Sequence, residues 1–307
     1  MNKRRLYREH GRPIGLLLLC LCLCLILSGC GGTAKKGSRD STPQVLTPAA
    51  DGTVAYTSPA ATIDASHTAE GYVMVSYTGS SDKVKLQIAE PSGVTTTYDL
   101  KSGWAAFPLT GDSGAYTVTV LEHAYDNQYT TAFSQTVDAA ITNAFGPYLY
   151  PSQYVNFTAD SQAVAKAQEL ASGADTDLDV VANVYDYVTK NIKYDNDEAA
   201  TVTTGYLPDV DAVLKSGKGI CFDYTALMAA MLRSQRIPTR LEVGYSGSAY
   251  HAWISVYTQE SGWVNGIIQF NGSTWTLMDP TLGANNDNSS VKDYIGDGSH
   301  YQTKYIY

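Results

Sequence analysis

The chain has 307 residues, 44% hydrophobic and 17% charged, a composition that suits a globular protein and excludes collagen-like and broadly disordered classes. Its 21 Lys and Arg stand against 30 Asp and Glu, and Lys3, Arg4, Arg5, Arg8 and Arg12 crowd the N-terminus with only Glu9 opposing them. Without that segment the body carries 16 basic and 29 acidic residues, which argues against nucleic acid as a partner.

The basic start runs into the apolar stretch Ile14 to Leu27. That stretch is too short to cross a bilayer comfortably, and residues 1–29 are expected to be an export signal. Leu27-Ser28-Gly29-Cys30 resembles the lipobox of bacterial lipoproteins. The resemblance implies cleavage before Cys30 and a diacylglycerol on its sulfur, which would fix the protein to the outer face of a bacterial membrane. Cys20, Cys22 and Cys24 would leave with the signal, so Cys221 would be the one free thiol of the exported body. Taken alone, a lone thiol is more often buried and structural than reactive.

Residues 30–53 are rich in Gly, Ser, Thr and Pro and lack apolar periodicity, which predicts a flexible tether. Residues 54–145 have period two: Val73, Val75 and Tyr77, then Val84, Leu86 and Ile88, then Tyr116, Val118 and Val120. Turn signals at Pro91-Ser92-Gly93 and Gly111-Asp112-Ser113-Gly114 separate the runs, and a small antiparallel sandwich is expected. Asp112 to Val118 resembles the tyrosine-corner region of immunoglobulin-like domains. His67 and His123 read as surface or edge residues.

The texture changes in residues 151–307. Helical spacing covers Ser161 to Ala171 and Thr176 to Ile192, Asp209 opens a short run to Ser216, and a stronger pattern follows Cys221. Alternation returns in Arg240 to Tyr245, His251 to Tyr257 and Thr274 to Met278. Helices followed by consecutive strands give an α+β layout. Cys221 falls where a Gly-rich turn enters a helix, and a helix start favours the anionic, nucleophilic thiolate. Gly219 would let a substrate carbonyl approach the Cys221 N–H. His251 opens one strand and Asp279 follows another, so a Cys-His-Asp arrangement is possible on spacing alone.

Gly217 to Leu227 with Arg233 to Arg240, then His251-Ala252-Trp253, then Thr274 to Thr281, resemble in order the nucleophile, histidine and aspartate blocks of the transglutaminase-like superfamily. The resemblance implies a papain-like thiol domain and says nothing of the β module, which stands before it as the expected small immunoglobulin-like sandwich. By the same match Cys221 attacks an amide or ester carbonyl, His251 is base and then acid, and Asp279 holds the imidazole. The acyl-thioester would be resolved by an amine or by water, and the substrate would be a protein or peptide at the cell envelope. The other reading is a silent surface binding or scaffold protein with a transglutaminase-like shell. Gly219, Asp223 and Trp253 are near-site support, Asp223 and Arg240 reading first as a cap or an ion pair. Tyr206 and Asn191 are candidate second oxyanion donors, and His300 is a weaker rival base. The Asp-rich stretches at Asp175 and Asp195 lack the ligand spacing of a calcium loop, so no metal or cofactor is expected.

Overall fold

The period-two stretches become strands for the reason that marks them in the sequence: alternate residues face a core. In Val84–Ala89, Val84, Leu86 and Ile88 are buried while Lys85, Gln87 and Ala89 are half-buried on the other side. The computed structural model describes residues 37–259, 262–264, 267–270, 275–278 and 301–307, the strands 267–270 and 275–278 through their backbone. One sheet has the order β1-β2-β3-β6, from Ala55–Thr57, Ala61–Asp64, Tyr72–Tyr77 and Gly103–Pro108. A second has the order β5-β4-β7-β8, from Thr95–Leu100, Val84–Ala89, Gly114–Tyr125 and Gln128–Ala139. Ile63, Val73 and Phe107 of the first join Leu86, Tyr116 and Val120 of the second in one core. The Tyr116 hydroxyl donates to the Asp112 carbonyl at 2.9 Å, the backward bond of a tyrosine corner.

Among the described residues four α-helices precede the nucleophile segment's own. Helix α1 is Gln162–Ala171, α2 Asp177–Asn191, α3 Asn196–Thr201 and α4 Val210–Ser216. Each of the last three starts where a short polar side chain accepts free helix N–H groups. Thr176 and Asp179 form a reciprocal capping box on α2, Asp195 accepts from Asp197 and Glu198, and Asp209 from Asp211 and Ala212. Both Asp-rich stretches are thus helix caps. Helix α5, Cys221–Ser234, is buried from Asp223 onward, its apolar centre Ala226 to Leu232 flanked by the buried polar groups Asp223 and Arg233. Two-residue strands β9, Lys193–Tyr194, and β10, Lys218–Gly219, pair in parallel just before it.

Helix α5 packs on an antiparallel sheet of order β13-β12-β11-β16, from Gly262–Val264, Ala249–Thr258, Thr239–Ser246 and Tyr301–Ile306. The backbone of β14, Ile267–Phe270, pairs with β15, Trp275–Met278. Strand β16 carries few apolar residues, and its pairing explains two others. Buried Glu242 accepts hydrogen bonds from Ser255 on β12 and Thr303 on β16. Gly244 sits so close to β16 that a Cβ there would stand 2.0 Å from the Gln302 carbonyl oxygen.

Residues 37–53 correct the expectation of a flexible tether. The Arg39 Nε donates to Asp177 at 2.6 Å, its Nη groups reach Gln235, and the Gln44 N–H donates to Ser234 at 2.8 Å. Arg236 donates in turn to the carbonyls of Asp40 and Thr42. The composition lacks an apolar pattern because guanidinium and backbone bonds hold this strap. Replacing Arg39 by Ala leaves the Gln235 carbonyl and Asp177 without that fork. A loss of about 1–3 kcal/mol in urea unfolding is expected, with new cleavage inside 37–53 in limited proteolysis.

Gly37 to Tyr307 form one compact unit, so the β-sheets and the α+β part touch. Tyr98 of β5 packs on Tyr154 and Tyr307 at ring-centroid distances of 5.5 and 5.8 Å. The Arg240 guanidinium lies against both Tyr148 and Trp263, 4.9 and 3.7 Å from their ring centres. Among the described residues Arg240 meets these rings and no ion-pair partner.

Candidate active site

The turn that delivers Cys221 is built by glycines. Gly217 closes α4 in the left-handed region at φ 64°, where a side chain would be strained. A Cβ on Gly219 would meet the Asp223 Cβ at 2.7 Å, so only glycine lets the turn lie against the helix. Cys221 is then the first residue of α5, half-buried and unbridged. Among the described residues no acceptor meets the N–H of Cys221 or Phe222, as the first turn of a helix dictates. Free donors and the positive helix end together favour a negative sulfur or a developing oxyanion.

Asp223 is the cap of this turn. It is fully buried; its Oδ2 accepts the Ile220 N–H at 2.8 Å and its Oδ1 accepts the Tyr206 hydroxyl at 2.8 Å. Burial pushes the Asp223 carboxyl up to about 6 against the pull of those two donors, and Glu198 and Asp195 add to the rise. Burial together with the Asp223 carboxylate raises Tyr206 as well. The Tyr206 proton is thus committed to Asp223, and Asn191 donates to the Tyr187 carbonyl within its own helix at 2.7 Å. Of the two candidate second oxyanion donors, the Tyr206 hydroxyl is turned away from that task.

His251 lies on β12, half-buried, directly opposite Gly244 of β11. Trp253, two residues on, is buried and packs edge-on against Tyr301 at 4.9 Å, a core aromatic beneath the site. Asp279, Cys30 and His300 lie outside the described residues, and β15 ends one residue short of Asp279. Among the described residues no three His, Cys, Asp or Glu side chains gather as metal ligands would.

Sequence reasoning missed the aromatic flank. Tyr250 of β12, next to His251, is 60% exposed, and Tyr154 packs on Phe222, the residue after Cys221, at 5.3 Å. The count of 23 Tyr was the available signal, but it carries no position.

Residues 164–266 match the sequence profile of the transglutaminase-like superfamily. That stretch is a transglutaminase-like domain. It holds Cys221 and His251 and ends before Asp279. The domain is an α+β core preceded by N-terminal β-sheets. The uncharacterized protein YebA of Bacillus subtilis (strain 168) is 30% identical over a match covering 32% of this chain, which spans 16% of that relative's length. Among solved structures, a candidate cysteine protease of Cytophaga hutchinsonii aligns with a TM-score of 0.39 at 14% identity, over 83% of this chain and 73% of that one. The periplasmic domain of TgpA from Pseudomonas aeruginosa, bound to ethylmercury, aligns at 0.35 and 13%, over 70% and 94%. Red sea bream transglutaminase aligns at 0.27 and 13%, over 70% and 48%.

Proposed function

We propose that this protein is a cysteine-dependent acyltransferase or amide hydrolase acting on peptides or proteins at the cell envelope. The observation that carries the reading is Cys221 at the start of a buried helix, whose first N–H groups meet no acceptor among the described residues, in a transglutaminase-like domain. In the proposed cycle the Cys221 thiolate adds to the amide carbon, and the developing oxyanion is met by helix-start N–H groups. His251, protonated by the thiol, gives that proton to the departing amine, leaving an acyl-thioester. An incoming amine or water then adds to the thioester while His251 takes its proton, and the thiolate leaves. Asp279 would hold the imidazole in the tautomer this needs.

The site is further proposed to work outside the cell, anchored through a lipid on Cys30. The chain from Cys30 to Gly37, where the strap begins, can span at most about 25 Å even fully extended. Substrates close to the membrane face fit that reach.

Alkylation of the full chain by iodoacetamide against pH, read at the Cys221 peptide by mass spectrometry, tests the nucleophile. An ordinary thiol, with a pKa of about 8.5, loses reactivity below about pH 7. Fast alkylation persisting toward about pH 5, and lost in His251→Ala, is the expected result. Slow alkylation that follows an ordinary thiol and ignores His251 would favour a binding shell without turnover.

A further inference from the structure

We propose that Glu242 is a positioning residue of this site, its buried carboxylate supporting the imidazolium charge of His251 from the same face of the sheet. The inference rests on the acyl-transfer reading and adds to it a residue beyond Cys221, His251 and Asp279. In the register of β11 with β12, His251 stands opposite Gly244 and Glu242 opposite Trp253. Residues two apart on a strand share a face, and so do partners across an antiparallel pair. Glu242 and His251 are therefore diagonal neighbours on one side of the sheet, a relation that brings Cβ atoms within about 8 Å. Both carboxylate oxygens accept from hydroxyls, one from Ser255 on β12 and the other from Thr303 on β16 at 2.6 Å. Thr303 is the β16 partner of Gly244, so the second bond ties one oxygen to the cross-strand row that includes His251.

Among the described residues Glu242 meets hydroxyls and no cation, so its charge costs the sheet stability that an apolar residue of the same size would not. Its field reaches His251 through protein: Trp253 on β12 and Tyr301 on β16 meet over β11 on this face at 4.9 Å, and rings screen a charge far less than water does. The other charged or titratable groups on the face are few. Arg240, two residues before Glu242, has its guanidinium 3.7 Å from the Trp263 ring centre, and β16 adds the Tyr301 phenol. Strands β13, β14 and β15 contribute none. Tyr245 and Tyr250 alternate to the opposite face, where the Lys304 ammonium stands 4.9 Å over the Tyr245 ring. In the proposed cycle Cys221 and Asp279 complete the set around the imidazole.

The test reads the imidazole directly. In the full chain carrying Cys221→Ala, which removes the thiolate, the His251 Cε1–H resonance is followed by NMR against pH and assigned with His251→Ala. Its midpoint should lie above the ordinary histidine value of about 6.5. Adding Glu242→Gln should lower that midpoint by at least about half a unit, because loss of a nearby negative charge disfavours the imidazolium. Thr303→Val removes a hydrogen bond and keeps the charge, so it should lower the midpoint by less than half as much. Glu242→Met, of similar volume, takes the place of the glutamine variant if the amide prevents folding. A midpoint at or below about 6.5 before Glu242 is changed, a smaller fall in the Gln or Met variant, or an equal fall in Thr303→Val would overturn the assignment. Turnover plays no part in this readout. If iodoacetamide reveals no thiolate in the unmutated chain while Glu242→Gln still lowers the midpoint, the charge coupling stands and the acyl-transfer reading falls.

Discussion

Arg233→Met should melt roughly 8–16 °C below the parent, from a loss of about 4 kcal/mol at 2–4 °C per kcal/mol for a body of this size. The side chain is 1% exposed, and its bonds go to main-chain carbonyls. Nε and Nη2 donate to Thr239 at 3.1 and 2.9 Å, Nη1 to Tyr150 at 2.8 Å, and Nη2 also to Tyr307 at 2.9 Å. Those carbonyls belong to the start of β11, the segment leading from the β-sheets, and the residue that follows β16. One side chain therefore joins the end of the nucleophile helix to three other parts of the chain.

Burial pulls the guanidinium down to about 9, so it is still charged at neutral pH and needs its acceptors. Methionine fills much of the volume but donates nothing, and buried carbonyls left unpaired cost about 1–3 kcal/mol each. The Tyr307 carbonyl keeps its second donor, the Leu241 N–H at 3.0 Å, which limits the loss there. Arg233→Lys should rescue little, because a single ammonium cannot reproduce a planar fork spread over three segments. Differential scanning calorimetry checks both variants. A methionine variant that melts within about 3 °C of the parent would mean that water or neighbouring N–H groups satisfy those carbonyls.

What the sequence could declare about this architecture is set by how local each cause is. The alternation of Val84, Leu86 and Ile88 and the Thr176-to-Asp179 capping box are written within a few residues, and both became the elements they predict. The start of α5 was legible for the same reason, since Gly217 and Gly219 bracket the turn and Asp223 caps it. The strap was not legible: Arg39 reaches Asp177 and Gln235, far along the chain, and nothing near Arg39 encodes them. Strand β16 was missed because Gln302, Thr303 and Lys304 interrupt any apolar rhythm, and its place depends on pairing with β11 through a bulge. The Tyr206 hydroxyl could be named as near the site but not aimed. Its partner, Asp223, lies across the loop and two elements away.

Asp223→Asn should be more stable than the parent at pH 7 and indistinguishable from it below about pH 4. The sign follows from the direction of the shift. Burial raises the folded carboxyl to about 6 from an unfolded value of 3.8. Between those values the native state holds a proton that the unfolded chain releases, so this group's contribution falls as pH rises through the window. Above about pH 6 the cost has reached its full size, on the order of 3 kcal/mol at most. Asparagine removes the charge and keeps the geometry: its oxygen can take the Ile220 N–H, and the Tyr206 hydroxyl can turn to accept from the amide.

Urea unfolding of both proteins at pH 4, 5, 6 and 7 measures the difference, and a flat difference across the series would show that Asp223 does not titrate in this range. Asp223→Ala separates charge from capping. It also removes the charge, but it leaves the Ile220 N–H and the Tyr206 hydroxyl unpaired in a buried place. Its stability at pH 7 should therefore lie below that of the asparagine variant by about 2–4 kcal/mol. A carboxylate that destabilises the fold at neutral pH while fixing the turn before the nucleophile is an expense of the site and not of the core.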